Sequence, residues 1–247
     1  MITLNPQDSL HKAWMYRVLI RIIDNDNLRN LYFKGGTCAA MLGRLDRFSV
    51  DLDFDYVGEA NELLIIKKEL KLIFKELDLE IKDESKQGAQ FFLKYPTESS
   101  YQRNTLKIDI TFPSPPANNY ELERLVDINR TLFCQDEKTM FANKLVAILD
   151  RYKKSNSIAG RDIYDIHHFF LAGYEYNAEV IKERTGLSVK DFFRELKIFI
   201  ETKITDTILS QDLNYLLPYD KFHKLRKTLK IEVLMLINQE IDKLSIK

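Results

Sequence analysis

Asp51 and Asp53 stand two residues apart in FSVDLDFDYV (48–57), where acidic and apolar residues alternate. Successive side chains of a β-strand point to opposite faces, so both carboxylates project from one face with their Cα atoms about 6–7 Å apart. Two carboxylates so placed can share a divalent cation, and Mg²⁺ or Mn²⁺ would complete its oxygen shell with substrate phosphates and water. Asp109 lies mid-strand in TLKIDITF (105–112), between Ile108 and Ile110. An acid there is costly to bury unless it is paired or binds metal. If its strand neighbours 48–57, the three acids converge. A solvated strand face is the plain alternative. A calcium loop is not: Asp51, Asp53, Asp55 and Glu62 fit an EF-hand count, but Tyr56 stands where the sharp turn needs Gly, and Leu52 and Phe54 write a strand.

Gly35-Gly36-Thr37 falls between a strand-like LYFK (31–34) and a helix-like TCAAMLGRL (37–45). Free backbone N–H groups at such a turn favour a phosphate, although an ordinary glycine turn has the same sequence. Ser49 could hydrogen-bond a phosphate or order the following strand. In the second half, Lys144 and Arg151 are seven residues, or two helical turns, apart, so both can face one side and reach a polyanion. Asp162 and Asp165 share a face of the next helix. They would pin the Arg151 and Arg161 guanidiniums in ion pairs, orient Lys144 or a base, or both. The run KFHKLRKTLK (221–230) carries Lys221, Lys224, Arg226, Lys227 and Lys230 with no acid, and on one helix Lys221, Lys224 and Lys227 share a face. That face is either simply solvated or a sequence-independent, salt-sensitive platform for RNA phosphates. His167 and His168 are adjacent and diverge on a helix, which suits packing better than zinc. Cys38 has no partner His and reads as a small buried residue.

The elements that must position these residues follow from periodicity. Leu10, Trp14, Val18, Leu19, Ile22 and Ile23 predict an opening helix over 8–24. A strand, glycine turn, helix, strand succession spans 31–57, an amphipathic helix 62–77, and strands 79–84, 89–95 and 105–112. PSPPANN (113–119) breaks regular structure. The chain is mostly helical beyond it, at 136–154, 160–173, 176–184, 188–204, 206–216 and 219–244, with Gly160 and Gly173 at helix ends. The expected fold class is α/β (α+β). A domain over 1–173 would hold a sheet core at about 30–113 and the helices 136–172, and a helical bundle would occupy 174–247.

The composition agrees with this reading. The 247 residues carry 37 Lys+Arg against 37 Asp+Glu, 45% hydrophobic and 30% charged residues, and two Cys, which excludes a disordered chain and a disulfide framework. Asp8, His11, Lys12 and Arg17 interrupt what a signal peptide would need, and no stretch approaches the ~18 apolar residues of a membrane span. The expectation is a soluble, cytoplasmic protein with no membrane partner. Zero net charge argues against indiscriminate nucleic-acid binding.

Taken in order, KGGT, RFSVDLDF and the later KIDI resemble the polymerase-β-type nucleotidyltransferase superfamily. NKLVAILDRYKKSNSIAGRDIYDI (143–166) is similar to the second motif of the AbiEii-type toxin nucleotidyltransferases, a Lys-Leu helix with an Arg, then Arg-Asp-x-x-Asp. These motifs cover residues 34–166. The resemblance implies a polymerase-β-like domain with a mixed sheet and a C-terminal helical bundle. It implies transfer of a nucleoside monophosphate from an NTP, with Asp51, Asp53 and Asp109 holding Mg²⁺ or Mn²⁺. Gly35, Gly36, Thr37, Ser49, Lys144, Arg151 and Arg161 would bind nucleotide phosphates, and Lys144, Asp162 and Asp165 would join the catalytic set. The implied role is the toxin of a toxin–antitoxin or phage-defence pair, with RNA, at the tRNA 3′ end, as acceptor and an antitoxin as partner. Two other readings stay open: transfer to a small molecule or protein side chain, and a catalytically silent nucleotide-binding module.

Overall fold

The computed structural model describes residues 6–85, 88–97, 103–214 and 216–246. The chain forms two compact units, one of residues 1–114 and 120–135 and the other of residues 115–119 and 136–247. This division falls at Gln135, whereas the grouping expected from the motifs ends at Gly173.

In the first unit, α1 (Pro6–Ile23) leads to β1 (Leu31–Lys34), α2 (Gly35–Met41), β2 (Asp51–Tyr56) and α3 (Leu63–Glu76). Strands β3 (Glu80–Glu84), β4 (Ala89–Lys94), β5 (Thr105–Thr111), β6 (Tyr120–Leu125) and β7 (Arg130–Gln135) follow. Among the described residues seven strands form one sheet in the order β3-β4-β5-β2-β1-β7-β6. It is mixed: β2 runs parallel to β5 and β1 parallel to β7, and the other neighbours are antiparallel. Alternation sorts its central strands. Phe33, Leu52, Phe54, Phe91, Leu106 and Ile108 are fully buried on one face, while Asp51, Asp53, Lys107 and Asp109 occupy the other positions of the same strands. Helices α1 and α3 cover the apolar face, Trp14 stacking on Tyr95 at 5.7 Å and Phe74 meeting Phe91 at 5.2 Å. Buried His11 donates from Nε2 to the Val50 carbonyl at 2.8 Å, which ties α1 to the residue before Asp51.

Residues 120–135 correct the expected sheet limit of about 113. They form the β6–β7 hairpin, turning at Asn129 in the left-handed region (φ 50°). β6 lies at the sheet edge: its Tyr-Glu-Leu-Glu alternates apolar and charged residues, but Leu122 faces solvent and only Leu125 is buried, so the short strand has no core-facing row.

The second unit is helical: α4 (Glu137–Ser155), α5 (Gly160–Leu171), α6 (Ala178–Thr185), α7 (Val189–Lys203), α8 (Asp206–Leu213), α9 (Tyr219–Leu225) and α10 (Leu229–Ile246). Asp136 caps α4 by accepting from the Thr139 N–H at 2.7 Å. Phe141 of α4 stacks on Phe169 of α5 at 5.2 Å within an aromatic core that includes Phe193 and Tyr176. Gly160 opens α5, at the end of the 160–173 helix where the sequence put it, and it is needed for close approach: a Cβ would lie 2.8 Å from the Ile208 carbonyl oxygen and 3.0 Å from the Leu209 Cα of α8. One expectation changes here. The expected 219–244 helix is broken, because α9 ends at Leu225 and α10 begins at Leu229. No described helix is long and apolar enough to cross a membrane.

Candidate active site

The first unit brings its acids onto one sheet face. Asp53 is the register partner of Asp109 across the parallel β2–β5 pair and of Lys34 across the antiparallel β1–β2 pair, and Asp51 is opposite Lys107. Paired positions project to the same side and neighbouring strands lie about 4.8 Å apart, so Asp51, Asp53, Asp109, Lys34 and Lys107 form one charged cluster. Asp109 Oδ2 accepts from Lys107 Nζ at 2.7 Å and from Gln90 Nε2 at 2.9 Å. Its carboxylate is thereby held, and among the described residues no three His, Cys, Asp or Glu side chains stand close enough to hold a metal ion by themselves. Asp51 and Asp53 supply two carboxylates, which suits a Mg²⁺ ion that draws its remaining ligands from phosphates and water.

The glycine turn meets this cluster directly. Gly35 has φ +80°, and a Cβ there would fall 2.3 Å from Asp53 Oδ2. Only glycine therefore satisfies both the left-handed backbone and the carboxylate lying against it. A Cβ on Gly36 would lie 2.8 Å from Ser49 Oγ and 3.2 Å from an Arg47 terminal nitrogen. Thr37 donates from Oγ1 to the Asp51 carbonyl at 2.5 Å, fixing the start of β2 relative to α2. Ser49 precedes β2 rather than lying within it.

Asp53 is unsettled in this setting. Its partial burial, and next the charge of Asp51, push its carboxyl from the usual 3.8 up to about 6, against the pull of Lys107 and Lys34. Like charges in a desolvated place favour the protonated form, and a bound divalent cation would remove that preference.

Asp55, the third acid of the DLDFDY strand, is fully buried. Lys34 Nζ donates to its Oδ1 at 2.6 Å, and Tyr120 OH and Gln135 Nε2 donate to its Oδ2 at 2.8 and 2.7 Å. Lys34 also reaches Thr111 Oγ1 at 2.6 Å. Asp55 thus links β2, β1, β6 and β7 beneath the cluster and holds Lys34 beside Asp53. Sequence reasoning missed Lys34, Lys107, Gln90 and this role of Asp55. The available signal was Lys34 placed immediately before the Gly-Gly turn.

The second unit holds the other motif residues. Lys144 Nζ pairs with the fully buried Asp165 at 2.7 Å, and Arg151 Nε donates to Asp162 Oδ2 at 3.1 Å. Both α5 acids, about one turn apart, therefore anchor α4 cations that lie two turns apart. Arg161 is half-buried in the first turn of α5, and neither acid bonds to it as expected. His167 pairs with Glu232 through Nε2 at 2.7 Å. In the first unit Cys38 is buried, and that burial, with the neighbouring Cys134 sulfur, pushes its thiol well up.

The basic run 221–230 does not form one face. Lys221 lies 5.4 Å from the Tyr164 ring centroid, Arg226 5.9 Å from that of Phe222, and Lys230 donates to the Glu201 and Ile204 carbonyls at the end of α7. Lys224 and Lys227 are exposed but are separated by the end of α9.

Comparison with known proteins gives this arrangement its place. The structure of JHP933 from Helicobacter pylori is similar over 98% of this chain and 97% of that one, at 21% identity and a TM-score of 0.56. A second H. pylori structure, of a candidate nucleotidyltransferase, is similar over 98% and 99% of the two chains, at 21% identity and a TM-score of 0.57. At that identity the likeness concerns the fold. No curated protein sequence matches the chain. Residues 17–227 match the family described as nucleotidyl transferase AbiEii toxin, type IV TA system. Across most of its length, then, this is an AbiEii-type nucleotidyltransferase, and the chain belongs to that toxin family.

Proposed function

We propose that this nucleotidyltransferase is Mg²⁺- or Mn²⁺-dependent and transfers a nucleoside monophosphate from an NTP to RNA, at the tRNA 3′ end. The observation that carries the metal and nucleotide reading is Gly35, which closes against Asp53 on the face that also bears Asp51. A divalent cation held by Asp51 and Asp53 supplies charge neutralisation on the reacting phosphate oxygens. In the transfer, the acceptor hydroxyl oxygen forms a bond to the α-phosphorus, the bridging α–β P–O bond breaks, and pyrophosphate leaves. Lys34 and Lys107 add positive charge beside the carboxylates, and the Gly36–Thr37 turn offers backbone N–H donors to phosphate. Asp109 is the group assigned to the hydroxyl proton. Held by Lys107 and Gln90, it is oriented before substrate arrives.

Lys144, Arg151 and Arg161 are assigned to phosphate charge, with Asp165 and Asp162 as positioning residues for the first two. On this reading residues 1–173 act together as the catalytic domain, and 174–247 are the helical bundle. The RNA acceptor rests on the toxin character of the family, and the divided 221–230 run adds little to it. A cognate antitoxin and a cytoplasmic location accompany the same reading. Incubation with total cellular RNA, Mg²⁺ and each α-labelled NTP in turn should put label into tRNA-sized bands with one nucleotide. Label at protein size, or only in small molecules, would overturn the RNA acceptor and leave nucleotidyl transfer standing.

A further inference from the structure

Helix α3 keeps its charges apart in a way the nucleotidyl-transfer site does not require. Ile66, Leu70, Ile73 and Phe74 are buried. Both of the helix's acids are engaged on one flank, Glu69 accepting from Asn25 Nδ2 at 3.0 Å and Glu76 pairing with Arg21. Leu64, Lys67, Lys68, Lys71, Leu72 and Lys75 remain, at i, i+3, i+4, i+7, i+8 and i+11, the spacing of a single helical face. With Glu84 of β3 they line a shallow open groove of about 510 Å³. Leu64 is 76% and Leu72 46% exposed. Lys71 pairs with Glu84 at 2.8 Å, whereas the side chains of Lys67, Lys68 and Lys75 make no hydrogen bond or ion pair among the described residues.

Two features of this face call for an anionic partner with apolar side chains. Lys67, Lys68 and Lys75 carry three positive charges that no carboxylate among the described residues meets, since Glu84 is taken by Lys71. The exposed Leu64 and Leu72 on the same face gain nothing from water. We propose that this face docks an acidic amphipathic helix of a partner protein, its apolar stripe lying on Leu64 and Leu72 and its carboxylates meeting Lys67, Lys68 and Lys75. A nucleic-acid backbone would use the lysines alone and leave the exposed Leu64 and Leu72 uncovered, so the leucines favour the amphipathic helix. The face also lies on the far side of the sheet from the acids: α3 packs on Phe91, which pairs with Ile108, while Gln90 pairs with Asp109 on the opposite face. A helix docked there would leave Asp51 and Asp53 open.

The test uses the full chain and a labelled synthetic helical peptide with leucines at i, i+4, i+7 and i+11, glutamates flanking that stripe and alanines elsewhere, followed by fluorescence anisotropy. Its comparators are a scrambled peptide of identical composition, a single-stranded RNA of equal charge, and phosphatidylglycerol-containing vesicles. The ordered peptide should bind saturably and at least about tenfold tighter than the scrambled one. Lys68→Glu with Lys75→Glu, and separately Leu64→Ala with Leu72→Ala, should each weaken it by about tenfold or more with nucleotidyl transfer and the unfolding midpoint unchanged. Equal binding of both peptides, or binding of RNA or vesicles that the ordered peptide cannot displace, would overturn the proposal. None of these readouts depends on the acceptor or the metal.

Discussion

Replacing Asp53 by Asn should stabilise the metal-free protein while abolishing its activity. Partial burial and the Asp51 charge raise the Asp53 carboxyl from 3.8 to about 6. The folded protein therefore binds more protons than the unfolded chain between those values, and stability falls as the pH rises through that window. Above about pH 6 the full penalty is present. The gap of about two pH units corresponds to at most about 3 kcal/mol, since partial solvent access to Asp53 reduces it. Below about pH 4 both states carry the proton and the contribution vanishes. Urea unfolding in EDTA should show the Asn variant more stable than wild type at about pH 8, with the difference shrinking to nothing near pH 4. Saturating Mg²⁺ should reverse the order, because wild type gains binding energy that the variant loses. An Asn variant less stable than wild type in EDTA at about pH 8 would refute the view that Asp53 is held in an unfavourable charged state awaiting a cation.

Gly35→Ala should cost about 1–2 kcal/mol in stability from the left-handed backbone alone. By displacing Asp53 it should also lower transfer about a hundredfold; urea unfolding and label transfer measured together check both. Lys144→Ala removes the cation paired with the fully buried Asp165 and should destabilise by about 3–5 kcal/mol, most of it recovered when Asp165→Asn is added; a double-mutant cycle in urea measures this. Gly160→Ala forces the α5 backbone away from Ile208 and Leu209 and should lower stability by about 1–3 kcal/mol, seen as an earlier urea transition. Cys38, with its thiol pushed up by burial, should react with a disulfide reagent only as the chain unfolds, which a stopped-flow thiol assay reads directly.

The acids of β2 were legible because alternation in a strand is a local property: Asp51 and Asp53 stand where DLDFDY puts them, and β1 follows LYFK residue for residue. The alignment of Asp109 beside Asp53 needed the β2–β5 register, which sequence could suggest only as a condition. Lys34, Lys107 and Gln90 were hidden for the same reason, since each acquires its role from a neighbour across a strand. Asp55 entered the sequence reading only through the rejected calcium-loop count, and its buried role depends on Tyr120 and Gln135, which belong to the hairpin that sequence did not reveal. β7 was missed although Leu132 and Cys134 alternate, because it draws its stability from parallel pairing with β1 a hundred residues earlier. In the second unit, Lys144 with Arg151 and Asp162 with Asp165 could be placed on helix faces from spacing alone. Which acid meets which cation was settled by α4–α5 packing, and it leaves Arg161 outside both pairs. The 221–230 run shows the limit of helical-wheel reasoning, because the end of α9 at Leu225 separates lysines that one continuous helix would align.

The central claim is that the face bearing Asp51 and Asp53 beneath Gly35 is where the α–β phosphate bond of an NTP is broken. Parallel reactions with α-labelled and γ-labelled NTP, total RNA and Mg²⁺, run for wild type, Asp51→Asn and Asp53→Asn, test it most directly when pyrophosphate is counted alongside. The account predicts α-label in a macromolecule, γ-label only in pyrophosphate, equal amounts of the two, and losses of several orders of magnitude in both variants. Label transfer that persists undiminished in Asp51→Asn, or γ-label appearing in the acceptor, would contradict it.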